Sequence, residues 1–431
     1  MDLIETYGRF IKKTTSTNPE FALNMIKLGL FYEQNRLQSF PNKKVPKAYQ
    51  KLNLIAIKSL YEALKNPTRS VWVNIFAPVE ILQCFDLNPL SLECFSSFMA
   101  GFRCEDLFID YAEKSGIAET LCSYHKAFIG AGEANILPRP LCATTTSMIC
   151  DGNINTFRYL STSKDIPLYI LDIPYDYTEY SVQYVVTQLH DFIKMLEDLT
   201  QQTFSLDKLT QILERENQSK TYYMDFLKAQ VGKYYPSNMA LQLFMLFASH
   251  LSIGSKEVLD FYKLLAEDIK KYPATHALNV FWIHLMPYQH DVLSSYFNFN
   301  PNYQIQTYDL NLDYMMPLDT AHPLEALAKK LILNLYNGSF ERKVSFISQL
   351  SKELKVDAAI NFCHWGCKQS AGAVNLLKQA LTSNQIPTLI LDGDALDHRN
   401  SHDGQIKTRL EAFLEMVEKQ KGGDSNDRVC L

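Results

Sequence analysis

The chain has 431 residues, 47% of them hydrophobic and 21% charged, with 47 acidic against 42 basic side chains and a formal net charge of −5. Values this close to globular averages exclude a disordered, collagenous or rod-like protein, and at roughly 100–200 residues per domain the length predicts two or three domains. The near balance of charge argues against a dedicated nucleic-acid binder, and nine cysteines, an odd number spread over a long chain, argue against a secreted disulfide scaffold.

The first twenty residues carry charges throughout and have no apolar core, so no signal peptide is expected. No stretch approaches ~18 uninterrupted apolar residues, and Cys430 stands second from the end where prenylation takes a cysteine fourth from it. A soluble, cytoplasmic protein is expected. Residues 1–66 predict an N-terminal helical region, with apolar residues recurring at three- and four-residue intervals over Ala22–Asn35 and Leu52–Leu64. Residues 67–180 predict a first α/β domain. Ser70–Phe76 reads as a buried strand, Ala77-Pro78 opens the helix after it, and Pro167–Pro174 reads as a central parallel strand.

Residues 181–271 return to helical periodicity, over Tyr184–Leu199 and Leu206–Glu216 for example, and predict a helical connection. Residues 272–431 predict a second α/β domain, with strands at Ala277–His284, Ala358–Phe362 and Pro387–Asp392 and helices at Pro323–Leu335 and Ala373–Thr382. Such alternation implies right-handed crossovers and two parallel sheets covered by helices. A short polar tail follows Lys419. No short-period repeat is present, and the two alternating regions are candidates for distant structural copies.

Ligands of open parallel sheets gather beyond the carboxyl ends of the strands. There the second α/β region carries Cys363-His364-Trp365-Gly366-Cys367 and Asp392-Gly393-Asp394. The two cysteines are three residues apart, with no second local pair for zinc and the wrong spacing for a thioredoxin-type site. No Walker A, dinucleotide fingerprint or Gly-x-Ser-x-Gly elbow is present. Cys367 beside Lys368 at a helix start, with His364 as base, makes a weak nucleophile signal. Cys122, followed by a glycine turn at Gly130-Ala131-Gly132, and Cys150, at an Asp151-Gly152 turn, read individually as packed core thiols. Three thiolates from separate loops also suit one iron–sulfur cluster, and local spacing does not choose between these readings.

The run Asn361–Ser370, then Leu391–Asp394, Asp397-His398-Arg399-Asn400 and Gly404–Glu415, closely resembles the (R)-2-hydroxyacyl-CoA dehydratase family, which includes 2-hydroxyglutaryl-CoA dehydratase D-components and, as relatives, benzoyl-CoA reductase subunits. Ala112–Gly116 leading to Leu121–Tyr124, Cys150-Asp151-Gly152 and Pro78-Val79-Glu80 are similar to upstream segments of that family. The resemblance runs in one order from about residue 70 to residue 418 and skips the helical stretch 200–270. It implies two flavodoxin-like domains and a [4Fe-4S] cluster held by Cys122, Cys150 and Cys367. Cys363 has no ligand counterpart and reads as a packing residue. Glu80 is either an acid or base beside substrate or a carboxylate of the first helical turn, where the dipole favours it. His364 and Trp365 are expected around the cluster. Asp392, Asp394 and Arg399 are expected to form a charge network, and Ala395-Leu396 stands where the family often carries a further cysteine.

The reaction implied is loss of water from an (R)-2-hydroxyacyl-CoA thioester through a ketyl radical, after reduction by a separate ATP-dependent iron–sulfur activator protein. A paired homologous subunit is implied as well. The alternatives are a benzoyl-CoA-reductase-like subunit and a non-catalytic partner that holds a cluster as electron relay or scaffold.

Overall fold

Among the described residues, 3–400 and 403–426 of a computed structural model, eight short strands make two sheets. β1 (Ser70–Val73), β2 (Asn88–Ser91), β3 (Cys142–Thr146) and β4 (Leu168–Leu171) pair in parallel in the order β2-β1-β3-β4. β5 (Leu278–Ile283), β6 (Tyr303–Tyr308), β7 (Ala358–His364) and β8 (Thr388–Gly393) pair in parallel in the order β6-β5-β7-β8. The second order repeats the first strand for strand, so the two alternating regions share one topology. Both sheets are all-parallel, which requires a crossover between successive strands, and helices supply most of them. No described helix is long and apolar enough to cross a membrane. Cys430 lies outside the described residues.

Local chemistry explains the long helices. Thr178, Ser205, Asn238 and Ser255 each accept a hydrogen bond from the third backbone N–H of the helix they open. Caps of this kind are worth about 1 kcal/mol each, and here they start Glu179–Thr200, Leu206–Gln230, Met239–Leu251 and Lys256–Asp268. In the N-terminal region Asn18 caps Pro19–Ser39, which turns Ala22, Ile26 and Leu30 inward.

Several expectations need correction. Pro167–Pro174 is not a central strand: β4 pairs only with β3 and forms the sheet edge. Its apolar run reflects helix cover instead, Tyr169 meeting Phe192 of Glu179–Thr200 at 5.4 Å between ring centroids. The first strand stops at Val73, because Asn74 leaves the ladder to donate its side-chain amide to Thr146 Oγ1 at 3.2 Å and to accept the N–H of Ala77. Residues 420–426 continue the helix Asp403–Asn426, and the rest of the expected tail lies outside the described residues.

Gly130-Ala131-Gly132 is no turn; it lies inside the helix Ser123–Glu133. A Cβ on Gly130 would come within 1.6 Å of the Phe108 carbonyl oxygen, so this glycine permits close packing on the helix Glu105–Lys114. Helix propensity alone would make Gly130→Ala stabilising by about 1 kcal/mol. The clash is with backbone, which cannot swing aside, and overpacking of that kind costs about 3 kcal/mol. Gly130→Ala is therefore expected to destabilise the protein by about 2 kcal/mol, read as a lower urea midpoint; a midpoint at or above that of the wild type would contradict the packing argument.

Candidate functional site

Cys122, Cys150 and Cys367 each stand at the residue that opens a helix: Ser123–Glu133, Asp151–Lys164 and the single turn Lys368–Ala371. Asp151-Gly152 is thus the first turn of a helix rather than a loop. Cys150 and Cys367 occupy matching places, beyond the carboxyl ends of β3 and β7, each the third strand of its sheet. Gly366 brings Cys122 to them from the other half of the chain. It sits at φ +79°, and a Cβ there would lie 2.7 Å from the backbone nitrogen of Cys122. Ile149, just before Cys150, is held at φ 72°, an outlier for a β-branched residue.

The three thiols are close enough to act on one another. Burial pushes Cys122 well up, and the charges of Cys367 and Cys150 add to the effect. Burial likewise pushes Cys150 up to about 11, against the pull of the Asn153 and Gly152 N–H groups, while Cys367 again adds to the rise. Among the described residues, the group of three His, Cys, Asp or Glu ligand atoms within 4.8 Å of one another is Glu105, Asp397 and His398. Cys122, Cys150 and Cys367 do not form such a group, so at least one pair of their sulfurs is more than 4.8 Å apart, as thiolates on different irons of a cluster can be. Soft sulfur donors match that group, and its positive irons would offset the cost of burying thiolates. The donor set fits a [4Fe-4S] cluster held through three positions.

Each sulfur also has an imidazole. His364 Nε2 lies 3.1 Å from Cys122 Sγ, His125 Nε2 3.7 Å from Cys150 Sγ and His284 Nε2 3.3 Å from Cys367 Sγ. The Ala395 N–H donates to His364 Nδ1 at 2.9 Å, so the neutral His364 ring carries its proton on Nε2 and points it at sulfur. Burial lowers the pKa of all three histidines, that of His125 to about 4, which keeps the rings neutral. Sequence reasoning missed His125 and His284. A signal existed for both: His125 follows Cys122 by three residues, on one helix face, and His284 follows a strand end.

Cys363 is buried and donates to the Ser370 carbonyl at 3.3 Å, the contact of a packing residue. Trp365 is 42% exposed and lines an open groove of about 600 Å³ with Lys126, Asp394 and Arg399. The acidic and basic groups near β8 pair differently from expectation. Arg399 bonds Asp397 and Asp110, Arg409 bonds Asp392, and Asp394 accepts from Ser123 Oγ at 2.6 Å.

Glu80 lies apart from the thiols, 1% exposed, with Oε1 2.5 Å from Lys330 Nζ. Lys330 also meets Glu216 at 2.7 Å, and Lys220 meets Glu216 at 2.8 Å. Burial works against Glu216 ionising, but two cations overcome it and hold its carboxyl down at about 2. Glu80 has only a share of Lys330 and the like charge of Glu216 beside it, so burial wins and its pKa rises. These side chains line a cavity of about 50 Å³ together with Phe76, His250 and Asn311. Phe76 meets Tyr336 at 5.7 Å and Tyr336 meets His284 at 5.9 Å, linking cavity and thiols through three rings. Glu93, also missed, feels both: its charge acts on Cys150, and its own pKa is raised by burial against the pull of Ser91, the Ile75 backbone and His250.

The family model described as 2-hydroxyglutaryl-CoA dehydratase, D-component, matches residues 74–417. The chain is 23% identical over 413 residues to the (R)-phenyllactyl-CoA dehydratase alpha subunit of Clostridium sporogenes, covering 90% of this chain and 99% of that one. It is 24% identical to the (R)-2-hydroxyisocaproyl-CoA dehydratase alpha subunit of Clostridioides difficile, covering 81% and 90%. It is 23% identical to a benzoyl-CoA reductase subunit of Thauera aromatica, covering 80% and 88%.

Proposed function

Because the chain belongs to the 2-hydroxyglutaryl-CoA dehydratase D-component family, we propose that it is the iron–sulfur subunit of a 2-hydroxyacyl-CoA dehydratase. One observation carries the reading: Cys122, Cys150 and Cys367, drawn from both halves of the chain, open three helices around one partly buried place. A [4Fe-4S] cluster held by these three cysteines would supply a low-potential electron and a Lewis-acidic iron, the chemistry needed to expel an α-hydroxyl by way of a ketyl radical.

The side chains around it have separate tasks. The cysteines hold the cluster at helix starts, and His364 directs an N–H at the Cys122 sulfur. Glu80 is the carboxyl in the charged cavity most easily protonated, which suits it to proton transfer. Glu93 shares that tendency, and its charge acts on Cys150. The substrate is a CoA thioester of a 2-hydroxy acid. Relatives that are alpha subunits support a paired homologous subunit, and the electron is assigned to an ATP-dependent iron–sulfur activator protein acting in the cytoplasm.

Purified without air, the chain is expected to hold about four irons and four sulfides. With its paired subunit, the activator and ATP it is expected to convert an (R)-2-hydroxyacyl-CoA into the enoyl-CoA. An iron-free chain after anaerobic purification and reconstitution would sink the reading.

A further inference from the structure

We infer that His284 is a positioning residue for the Cys367 thiolate, holding an imidazole N–H on that sulfur, with Asp309, paired to Lys343, fixing the backbone turn that carries the ring. The inference rests on the cluster reading above and adds a control on the cluster's electron affinity. β5 ends at Ile283, and the next residue, His284, takes φ +68°, a left-handed conformation that non-glycine residues adopt at a cost. A buried network maintains it. The His284 backbone N–H donates to Asp309 Oδ1 at 2.7 Å. Asp309 Oδ2 accepts from Tyr336 Oη at 2.7 Å and lies 2.8 Å from Lys343 Nζ. Lys343 Nζ stands 3.7 Å from the centre of the Tyr336 ring, and that ring packs on the imidazole. Asp309 is 1% exposed and Lys343 3%, so an ion pair has been taken out of water at this strand end.

The hydrogen-bonding inventory of the ring then decides its proton. Nε2 faces Cys367 Sγ, whereas Nδ1 is buried with no partner among the described residues. A thiol at Cys367 would donate to Nε2 and leave a buried N–H on Nδ1 unmet. An iron-bound thiolate can only accept, which puts the proton on Nε2 and leaves Nδ1 a bare lone pair. Buried acceptors without partners are tolerated better than buried donors. An N–H directed at a cluster thiolate withdraws electron density and makes the cluster easier to reduce.

His284→Asn tests this, since asparagine tolerates the left-handed turn but places its amide short of the sulfur. His284→Gln keeps a donor at the longer reach. In anaerobic holoprotein, H284N is expected to keep wild-type iron while its midpoint potential, titrated by EPR, moves negative, and H284Q is expected to recover part of that shift. Equal potentials at equal iron would overturn the inference and leave the cluster reading standing. A folded H284N that binds no iron would also overturn it, by making His284 a ligand. Should H284N fail to fold, 15N-histidine-labelled wild type and H284Q are compared by pulsed EPR. One weak histidine coupling is expected to vanish in H284Q, and identical spectra would overturn the inference. No iron in the wild type would remove both readings together.

Discussion

Cys122→Ser, Cys150→Ser and Cys367→Ser are each expected to lose most bound iron and at least roughly a hundredfold in activity, while Cys363→Ser keeps its iron. Partners that only touch a metal's ligands cost 10–100-fold when lost, so losing a ligand itself costs at least the upper part of that range. Serine is a sensitive replacement because it keeps the shape and exchanges soft sulfur for a hydroxyl that stays protonated. Burial already holds Cys122 and Cys150 above the ordinary thiol range, so neither ionises until iron displaces its proton. Cys363 is close by in sequence but spends its S–H on the Ser370 carbonyl, and a serine hydroxyl serves there equally well. Iron and acid-labile sulfide measured after anaerobic purification check the whole set. Wild-type iron in Cys367→Ser would remove that residue from the ligands, and iron loss in Cys363→Ser would place Cys363 among them.

Lys330→Met is expected to destabilise the protein by about 4 kcal/mol, the largest stability effect expected in this chain. Among the described residues Lys330 is the only cation bonded to Glu80 and one of two bonded to Glu216, and both carboxylates are at most 1% exposed. Removing one member of a buried ion cluster leaves charge without compensation and costs about 3–5 kcal/mol. Glu80→Gln should cost only about 1–2 kcal/mol, because burial already works against the Glu80 charge and the amide keeps an oxygen acceptor for Lys330. The double variant Glu80→Gln/Lys330→Met should then cost less than the two singles added, by about 1–3 kcal/mol. Urea midpoints under anaerobic conditions measure all three. A Lys330→Met protein within 1 kcal/mol of wild type would show that water, not Lys330, compensates the carboxylates.

The long helices were legible because amphipathic periodicity and caps coincide, and β1, β5, β7 and β8 because their apolar runs are bounded by turns. β2, β3 and β6 were not. Asn88-Pro89-Leu90-Ser91 reads as a turn, Cys142–Thr146 buries threonines where apolar residues are looked for, and Tyr303–Tyr308 inserts two glutamines among aromatic and apolar residues. Strand-end reasoning brought Cys367 to attention on its own. The meeting of Cys122 with Cys367 depends on the close approach of Gly366 to the Cys122 backbone, which no local window contains. Glu80 is the counter-example. Its segment alone reads as a helix start, and its immersion in a charged cavity depends on Lys330, 250 residues away.

The shared strand order of the two sheets has a consequence for how the protein is made. During synthesis Cys122 and Cys150 leave the ribosome with the first sheet, long before β7 and Cys367 exist. Domains generally fold as units, the N-terminal one first, so the first half waits with two thiols exposed until the second docks. The contact that closes the site, Cys122 with His364, spans 242 residues. Whatever fills the site does so only after translation has passed residue 367, and it then acts as a clasp between halves that no described disulfide joins.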